Sequence, residues 1–322
     1  MGKVVSQIKN GTSYYYLEES VRIGAKVKKV REYLGKKKPN SKELNRLKNK
    51  LTDESYLKIY SKSLEEYKSG IFSNKELAEL EAIKDNYLYR LSKLSKNRRE
   101  EAERQFVLDF VYTTLRTEGV NVGHEDVETA FSALKKKKGE FTLNDKVIIS
   151  SSMITGFNYL SKINVNDKDV LKLHGIIMTT FEHHSPGQLR DDQRIIARVN
   201  PVTFESKEIN YRPPAPEKVP FEFSNFFEWF NKNKTLHPFE LAVLVHLKIY
   251  LVHPFKDGNK RMCRLLFNKI LQDNNYPTLN ISKETSNYFK TLIESVETNN
   301  PKFFADFCRK TFIKQIKNKR LK

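Results

Sequence analysis

Cysteine is nearly absent: Cys263 and Cys308 are the only two in 322 residues. Two thiols make no disulfide framework, which points to a reducing cytoplasm and a core held by apolar burial. Long apolar runs are missing too. None approaches the ~20 residues of a bilayer span, and the amino terminus lacks a signal-peptide core, so no membrane partner is expected. No internal repeat is found. Acidic residues are scarce at the start, where residues 1–50 hold 14 Lys/Arg against 4 Asp/Glu.

What is present describes a globular chain with a highly charged surface. Hydrophobic residues make up 39% and charged residues 30%. At roughly 150 residues per domain the length fits two domains. The formal net charge is +19, about half of it in the first 50 residues, and the end from Lys310 is basic again. Such a basic arm either solubilises the protein or contacts nucleic acid through salt-sensitive phosphate contacts.

Residues 4–17, VVSQIKNGTSYYYL, place Asn-Gly between two β-prone runs, which predicts a hairpin. A further extended piece follows in AKVKKVREYL, and GKKKPNS ends this basic, β-rich element of residues 1–40. Leu-, Lys- and Glu-rich spacing predicts two helices over 41–99, with room for self-association into a homo-oligomer. Beyond them the pattern predicts helices at 101–118, 124–137, 142–162, 167–183, 217–233, 237–252, 258–274, 282–297 and 301–317. The segment 187–214 breaks the series with β-branched runs around Asn-Pro and reads as a projecting hairpin. KKKK at 135–138 reads as a solvated loop. The fold class is mostly α.

The chemistry concentrates in HPFKDGNKRMCR, residues 253–264. Before it, PFELAVLVHLKIYLV is apolar almost all round and predicts a buried helix. After it, Cys263, Leu266, Phe267, Ile270 and Leu271 mark a core face, with Arg261 and Arg264 on another face of the first turns. A helix amino terminus suits an anion. Gly258 permits close backbone approach, the Asn259 amide can donate, and two arginines can grip phosphate oxygens. Lys260 adds a further cation, so the cluster calls for an anion or a carboxylate in its midst. Asp257 suits Mg²⁺ shared with substrate phosphates, and His253 can take a proton from an attacking hydroxyl. Cys263 reads as core, His246 as a buried structural histidine, and His124, His183 and His184 as surface residues.

The stretch HPFKDGNKRMCR resembles the Fic motif, HPFx(D/E)GNxRxxR. LHPFELAVLVHLKIYLVHPF is similar to the helix leading into it, GQLRDDQRIIARV…YRPPAP to the family's flap, and YFKTLIESVETNNPKFFADF to its closing helices. The resemblance covers about residues 100–312, leaving 313–322 as a basic tail. It implies a mostly helical Fic domain and protein AMPylation: AMP from ATP to a Ser, Thr or Tyr hydroxyl of a target protein, with Mg²⁺. It implies further that His253 deprotonates the hydroxyl, Asp257 binds the metal, and Gly258, Asn259, Lys260, Arg261 and Arg264 hold ATP. Phe255 would anchor the loop, and the flap at Ile195, Ile196, Ala197 and Arg198 would pin the target.

Helix 101–118 carries an apolar stripe of Val107, Val111, Thr114 and Leu115, and its spacing brings Glu118 onto the same face. TLRTEG, from Thr114 through Glu118 to Gly119, is similar to the family's inhibitory pattern (S/T)xxxE(G/N). That resemblance implies an autoinhibitory pair between Glu118 and Arg264 in the γ-phosphate site. Lys260 stands where many relatives have glycine, as in the Doc branch, so Doc-like phosphate transfer remains an alternative. SVETNNP departs from the family's usual adenine-pocket pattern. Two readings from other classes also stand: a nucleic-acid-binding regulator using residues 1–100, and a structural oligomer built on 41–99.

Overall fold

The computed structural model describes residues 3–135, 144–199, 206–281 and 285–318. They form two compact units, one of residues 1–96 with 316–322 and one of 97–315.

The first unit opens with an antiparallel sheet of β1 (Lys3–Lys9), β2 (Thr12–Ile23) and β3 (Lys26–Gly35), in the order β1-β2-β3. Asn10 and Gly11 both have positive φ, 48° and 73°. That is the geometry a two-residue turn needs to match the right-handed strand twist. Helices α1 (Ser41–Leu64) and α2 (Asn74–Ser92) cover one face of the sheet, where Leu17 and Val21 are buried with Leu51, Leu64, Leu77 and Leu80. A capping box starts α2: Ser73 accepts from the Glu76 amide, and Glu76 accepts from the Ser73 amide.

The second unit is helical. Its order is α3 (Lys96–Thr117), α4 (His124–Lys135), α5 (Asp145–Tyr159), α6 (Asp167–Ile177), β4 (Ile196–Val199), β5 (Ser206–Tyr211), α7 (Val219–Lys232), α8 (Pro238–Val252), α9 (Asn259–Asp273), α10 (Thr285–Glu297) and α11 (Lys302–Asn318). Asn144 and Asn166 cap α5 and α6 by accepting from the amides of Val147 and Asp169. At its centre α8 packs along α9, with Phe239, Val243, Leu266, Phe267 and Phe312 buried between helices. Strands β4 and β5 pair with each other as an antiparallel two-stranded sheet.

One expectation is corrected. The helix read over 167–183 ends at Ile177, and a turn and a short 3₁₀ segment, Glu182–His184, follow. The arginines of α9 lie on a face other than the apolar stripe, as expected, but that face is buried too, since Arg261 through Leu271 are all buried. The lysine run beyond Lys135 and the Asn-Pro turn of the hairpin lie outside the described residues. Among the described residues no helix is long and apolar enough to cross a membrane.

Candidate active site

The site is built on the loop between α8 and α9. His237 starts α8 by accepting from the Phe239 amide, with Pro238 in the first turn. At the other end His253 caps the helix in the left-handed conformation, φ 48° and ψ 56°. A non-glycine residue adopts it at a cost of about 1 kcal/mol or more, so the neighbours must hold it there. The Arg190 backbone amide donates to the Pro254 carbonyl at 2.9 Å. Its buried guanidinium donates to the carbonyls of His253, Asp192 and Pro214 at 2.7, 2.6 and 2.6 Å. One side chain thereby ties the loop to both ends of the β4–β5 hairpin.

Phe255 is fully buried, its ring parallel to His174 at 3.7 Å. The Gly187 amide donates to His174 Nδ1 at 2.9 Å, so Nε2 carries the proton and donates to the Asp257 carbonyl at 3.0 Å. Burial pushes the His174 pKa down to about 4, which keeps this arrangement neutral. Gly258 has φ 77°, and a Cβ there would meet Met178 Sδ at 2.9 Å and His174 Nε2 at 3.2 Å. Only glycine meets both demands. Phe255→Ala, which leaves a void beneath the loop, is expected to cost about 3–5 kcal/mol, read as a lowered thermal unfolding midpoint.

Asn259 spends both ends of its amide on the loop itself. Its Nδ2 donates to the Phe255 carbonyl at 2.7 Å, and its Oδ1 accepts from the Phe255 amide at 3.0 Å. Asn259 therefore shapes the loop around Phe255.

Behind the loop, Arg261 and Arg264 are 1% and 0% exposed. Arg261 Nη2 meets Asp257 Oδ2 at 2.8 Å. Burial would raise the Asp257 pKa, but Arg261 outweighs it and holds the carboxyl below its usual range. Arg264 Nη2 meets Glu118 Oε1 at 2.7 Å, and Lys260 Nζ meets Glu118 Oε2 at 3.3 Å. Both carboxylate oxygens are thus gripped by cations. Burial acts to raise the Glu118 pKa, yet Arg264 and Lys260 hold it lowered. Among the described residues, Nε and Nη1 of both arginines are buried without a hydrogen-bond partner. Buried donors of this kind are costly unless an acceptor reaches them.

Glu118 is held by the end of α3. The amides of Gly119 and Val120 donate to the carbonyls of Arg116 and Leu115, both at 3.1 Å. Gly119 has φ 79°, so this is a Schellman cap with Glu118 as the last half-helical residue. Thr114 is fully buried one turn earlier, and its carbonyl lies 3.4 Å from Arg264 Nη2.

His253 is half-buried on the loop, with Nδ1 3.4 Å from the Tyr250 carbonyl. Burial lowers its pKa to about 4, so the imidazole is neutral at physiological pH. Ile195 is 50% exposed just before β4, and Ile196, Ala197 and Arg198 pair with β5.

Sequence reasoning missed His174 and Arg190. Both act through backbone carbonyls, which leave no mark in the sequence. Cys263 is buried and its thiol pKa is pushed up by burial, unlike a nucleophile. His246 is buried beside the Tyr288 hydroxyl at 3.1 Å. His183 is exposed, and the His124 ring stacks on Tyr112 at 3.7 Å. No group of three or more His, Cys, Asp or Glu side chains forms a metal cluster among the described residues.

Residues 164–271 match the Fic/DOC family. Protein adenylyltransferase Fic of Drosophila melanogaster is 32% identical over 158 residues, covering 47% of this chain and 30% of that protein. Protein adenylyltransferase fic-1 of Caenorhabditis elegans is 32% identical over 127 residues, covering 38% and 23%. The matched part is thus less than a third of these relatives' length. Among solved structures, a Fic domain containing signaling protein from Bacteroides thetaiotaomicron superposes with a TM-score of 0.61 at 20% identity, over 75% of this chain and 94% of that one. Fic-1 of C. elegans, residues 134–508, gives 0.60 at 19% identity, over 87% and 77%. At these identities the likeness is one of fold.

Proposed function

The chain carries a Fic/DOC family domain at residues 164–271, and from that premise we propose that it is a self-restrained protein adenylyltransferase. It would transfer AMP from ATP to a Ser, Thr or Tyr hydroxyl of a target protein. The observation that carries this reading is the buried pair Arg261 and Arg264 on the helix after the His253 loop, whose Nε and Nη1 donors lack hydrogen-bond partners among the described residues. Such a pocket is made for the β- and γ-phosphates of a nucleotide.

In this reading the target hydroxyl approaches His253. The imidazole takes its proton as the oxygen attacks the α-phosphorus, one O–P bond forms, and the bond to the β-phosphate breaks. Pyrophosphate leaves with its charge held by Arg261 and Arg264. Amides at the start of α9 face the phosphates, and Gly258 allows the backbone close to them. Asp257 is one ionised carboxylate, 40% exposed at its side chain. A lone carboxylate fits Mg²⁺ that arrives with nucleotide phosphates, because that ion keeps several waters and substrate oxygens. When bound, Mg²⁺ would neutralise phosphate charge beside Asp257. The outer edge of β4 would align the target chain by strand addition. Both cysteines are free and buried, which suits a reducing compartment such as the cytoplasm.

Glu118 is the proposed brake. Its carboxylate takes the position of a terminal phosphate on Arg264, and Lys260 holds its second oxygen. Lys260 then has two states, paired with Glu118 when the enzyme is idle and open to a phosphate when α3 shifts. The test compares Lys260→Met in the native chain and in a Glu118→Gly background. Lys260→Met alone is expected to raise AMP transfer severalfold, because one of two contacts on Glu118 is gone. In the Glu118→Gly background it is expected to leave transfer unchanged or lower it. A fall in the native chain would mean that Lys260 serves nucleotide binding alone. The product is read by mass spectrometry as the addition of one adenylyl group to a hydroxyl.

A further inference from the structure

The three-stranded sheet of the first unit has two unlike faces. On β2, Leu17 and Val21 turn to α1 and α2 and are 0% and 2% exposed. Alternation sends Tyr14, Tyr16 and Glu18 to the opposite face, away from α1 and α2, and none of the three is buried. The register adds their neighbours on that face. Lys3 and Lys9 come from β1, opposite Glu18 and Thr12. Lys29, Arg31 and Tyr33 come from β3, opposite Ser20, Glu18 and Tyr16.

The open face is therefore ordered across its width. Aromatic rings sit over the middle, with Tyr16 and Tyr33 at 5.3 Å and Tyr14 and Tyr33 at 6.1 Å between centroids. Cations stand on both outer strands, joined by Lys36 over the Tyr14 ring at 5.8 Å. Glu18 is the acidic residue that β2 places on this face, and Arg31 pairs with it at 3.6 Å. A solvated surface needs no aromatic centre: Tyr33 is 51% exposed, which water does not favour.

We propose that this face is a docking surface for double-stranded nucleic acid. Three strands at ~4.8 Å spacing span roughly 10 Å, which suits a B-form major groove about 12 Å wide. Cations on β1 and β3 then face the two phosphate walls, while the tyrosines meet base edges. A single strand has one backbone and would leave one of the two cationic rows unused. The ring faces are also partly taken, since the Arg31 guanidinium lies 4.0 Å above Tyr16, which leaves little room for stacked bases. The inference is independent of the AMP-transfer reading and would place the enzyme among targets that work on nucleic acid.

The full chain is titrated into a fluorescent mixed-sequence duplex of about 20 base pairs, followed by anisotropy from about 50 to 200 mM salt. Binding is expected with a log–log salt slope near about −4, as for four to five phosphate contacts. Lys29→Glu/Arg31→Glu should weaken it at least about tenfold, a loss that two missing phosphate contacts carry at such salt. The exposed pair Lys168→Glu/Lys232→Glu lies outside the sheet, makes the same change in net charge and should shift affinity by less than about twofold, as a change in overall charge alone is largely screened by salt. Circular dichroism checks that each variant keeps its fold. No binding at the lowest salt, equal loss in both charge-reversed pairs, or tighter binding to a single strand would each overturn the proposal.

Discussion

Under the proposed restraint, replacing Glu118 with glycine is expected to raise AMP transfer by about a hundredfold. The figure follows from occupancy: if the carboxylate fills the cation pocket in ~99% of molecules, removing it restores the competent fraction from about 1% to nearly all. The geometry supports high occupancy, because both oxygens are gripped and the side chain is 8% exposed. The same change strips Arg264 of its counter-ion. A fully buried charge left unpaired costs about 3–5 kcal/mol, so the variant unfolds at a lower temperature without nucleotide. ATP restores an anion to the pocket and stabilises the variant more than the native chain. Thermal scans with and without ATP therefore accompany the activity measurement. Equal ATP-induced shifts in both proteins would count against Glu118 and a phosphate sharing one site.

His253→Ala, made in the Glu118→Gly background so that activity is measurable, removes about 10²–10⁴ of the rate. In the proposed mechanism its imidazole serves the incoming hydroxyl rather than the phosphates, so kcat is expected to fall while KM for ATP changes little. The pH profile is the finer test. Burial lowers the His253 pKa to about 4, and a base works when unprotonated. Activity is thus expected to persist as pH falls through 6 and to drop only as pH approaches that pKa. An acid limb near the ordinary histidine value of ~6.5 would mean that the loop opens to water when the enzyme works.

Much of this arrangement is legible in the sequence because its signals are local. Asn10-Gly11 carries the hairpin turn, and the 3.6-residue rhythm carries the helices to within a turn or so. Glu118 falls on the buried face by spacing from Thr114 and Leu115. The rest depends on partners far apart in the chain. The end of the helix at Ile177 has no glycine or proline just beyond it, and nothing local shows that His174 in its last turn spends its ring on Gly187 and Asp257. Arg190 looks like any charged loop residue until three carbonyls converge on it. Asn259 is a generic donor in sequence, and only the fold shows that Phe255 claims its amide. Lys260 follows the same rule: its cationic neighbours call for an anion or a carboxylate, but its own pairing with Glu118, 142 positions earlier, is seen only in the fold.

The central claim is tested most directly by offering the native chain and its Glu118→Gly variant ATP radiolabelled at either the α- or the γ-phosphate, with Mg²⁺ and a cell extract as the source of targets. The account predicts protein labelling from the α-position only, far stronger in the glycine variant and lost with His253→Ala. Labelling from the γ-position only would show that Lys260 has reversed the nucleotide and that the enzyme transfers phosphate, contradicting the assignment of Arg261 and Arg264 to the leaving pyrophosphate.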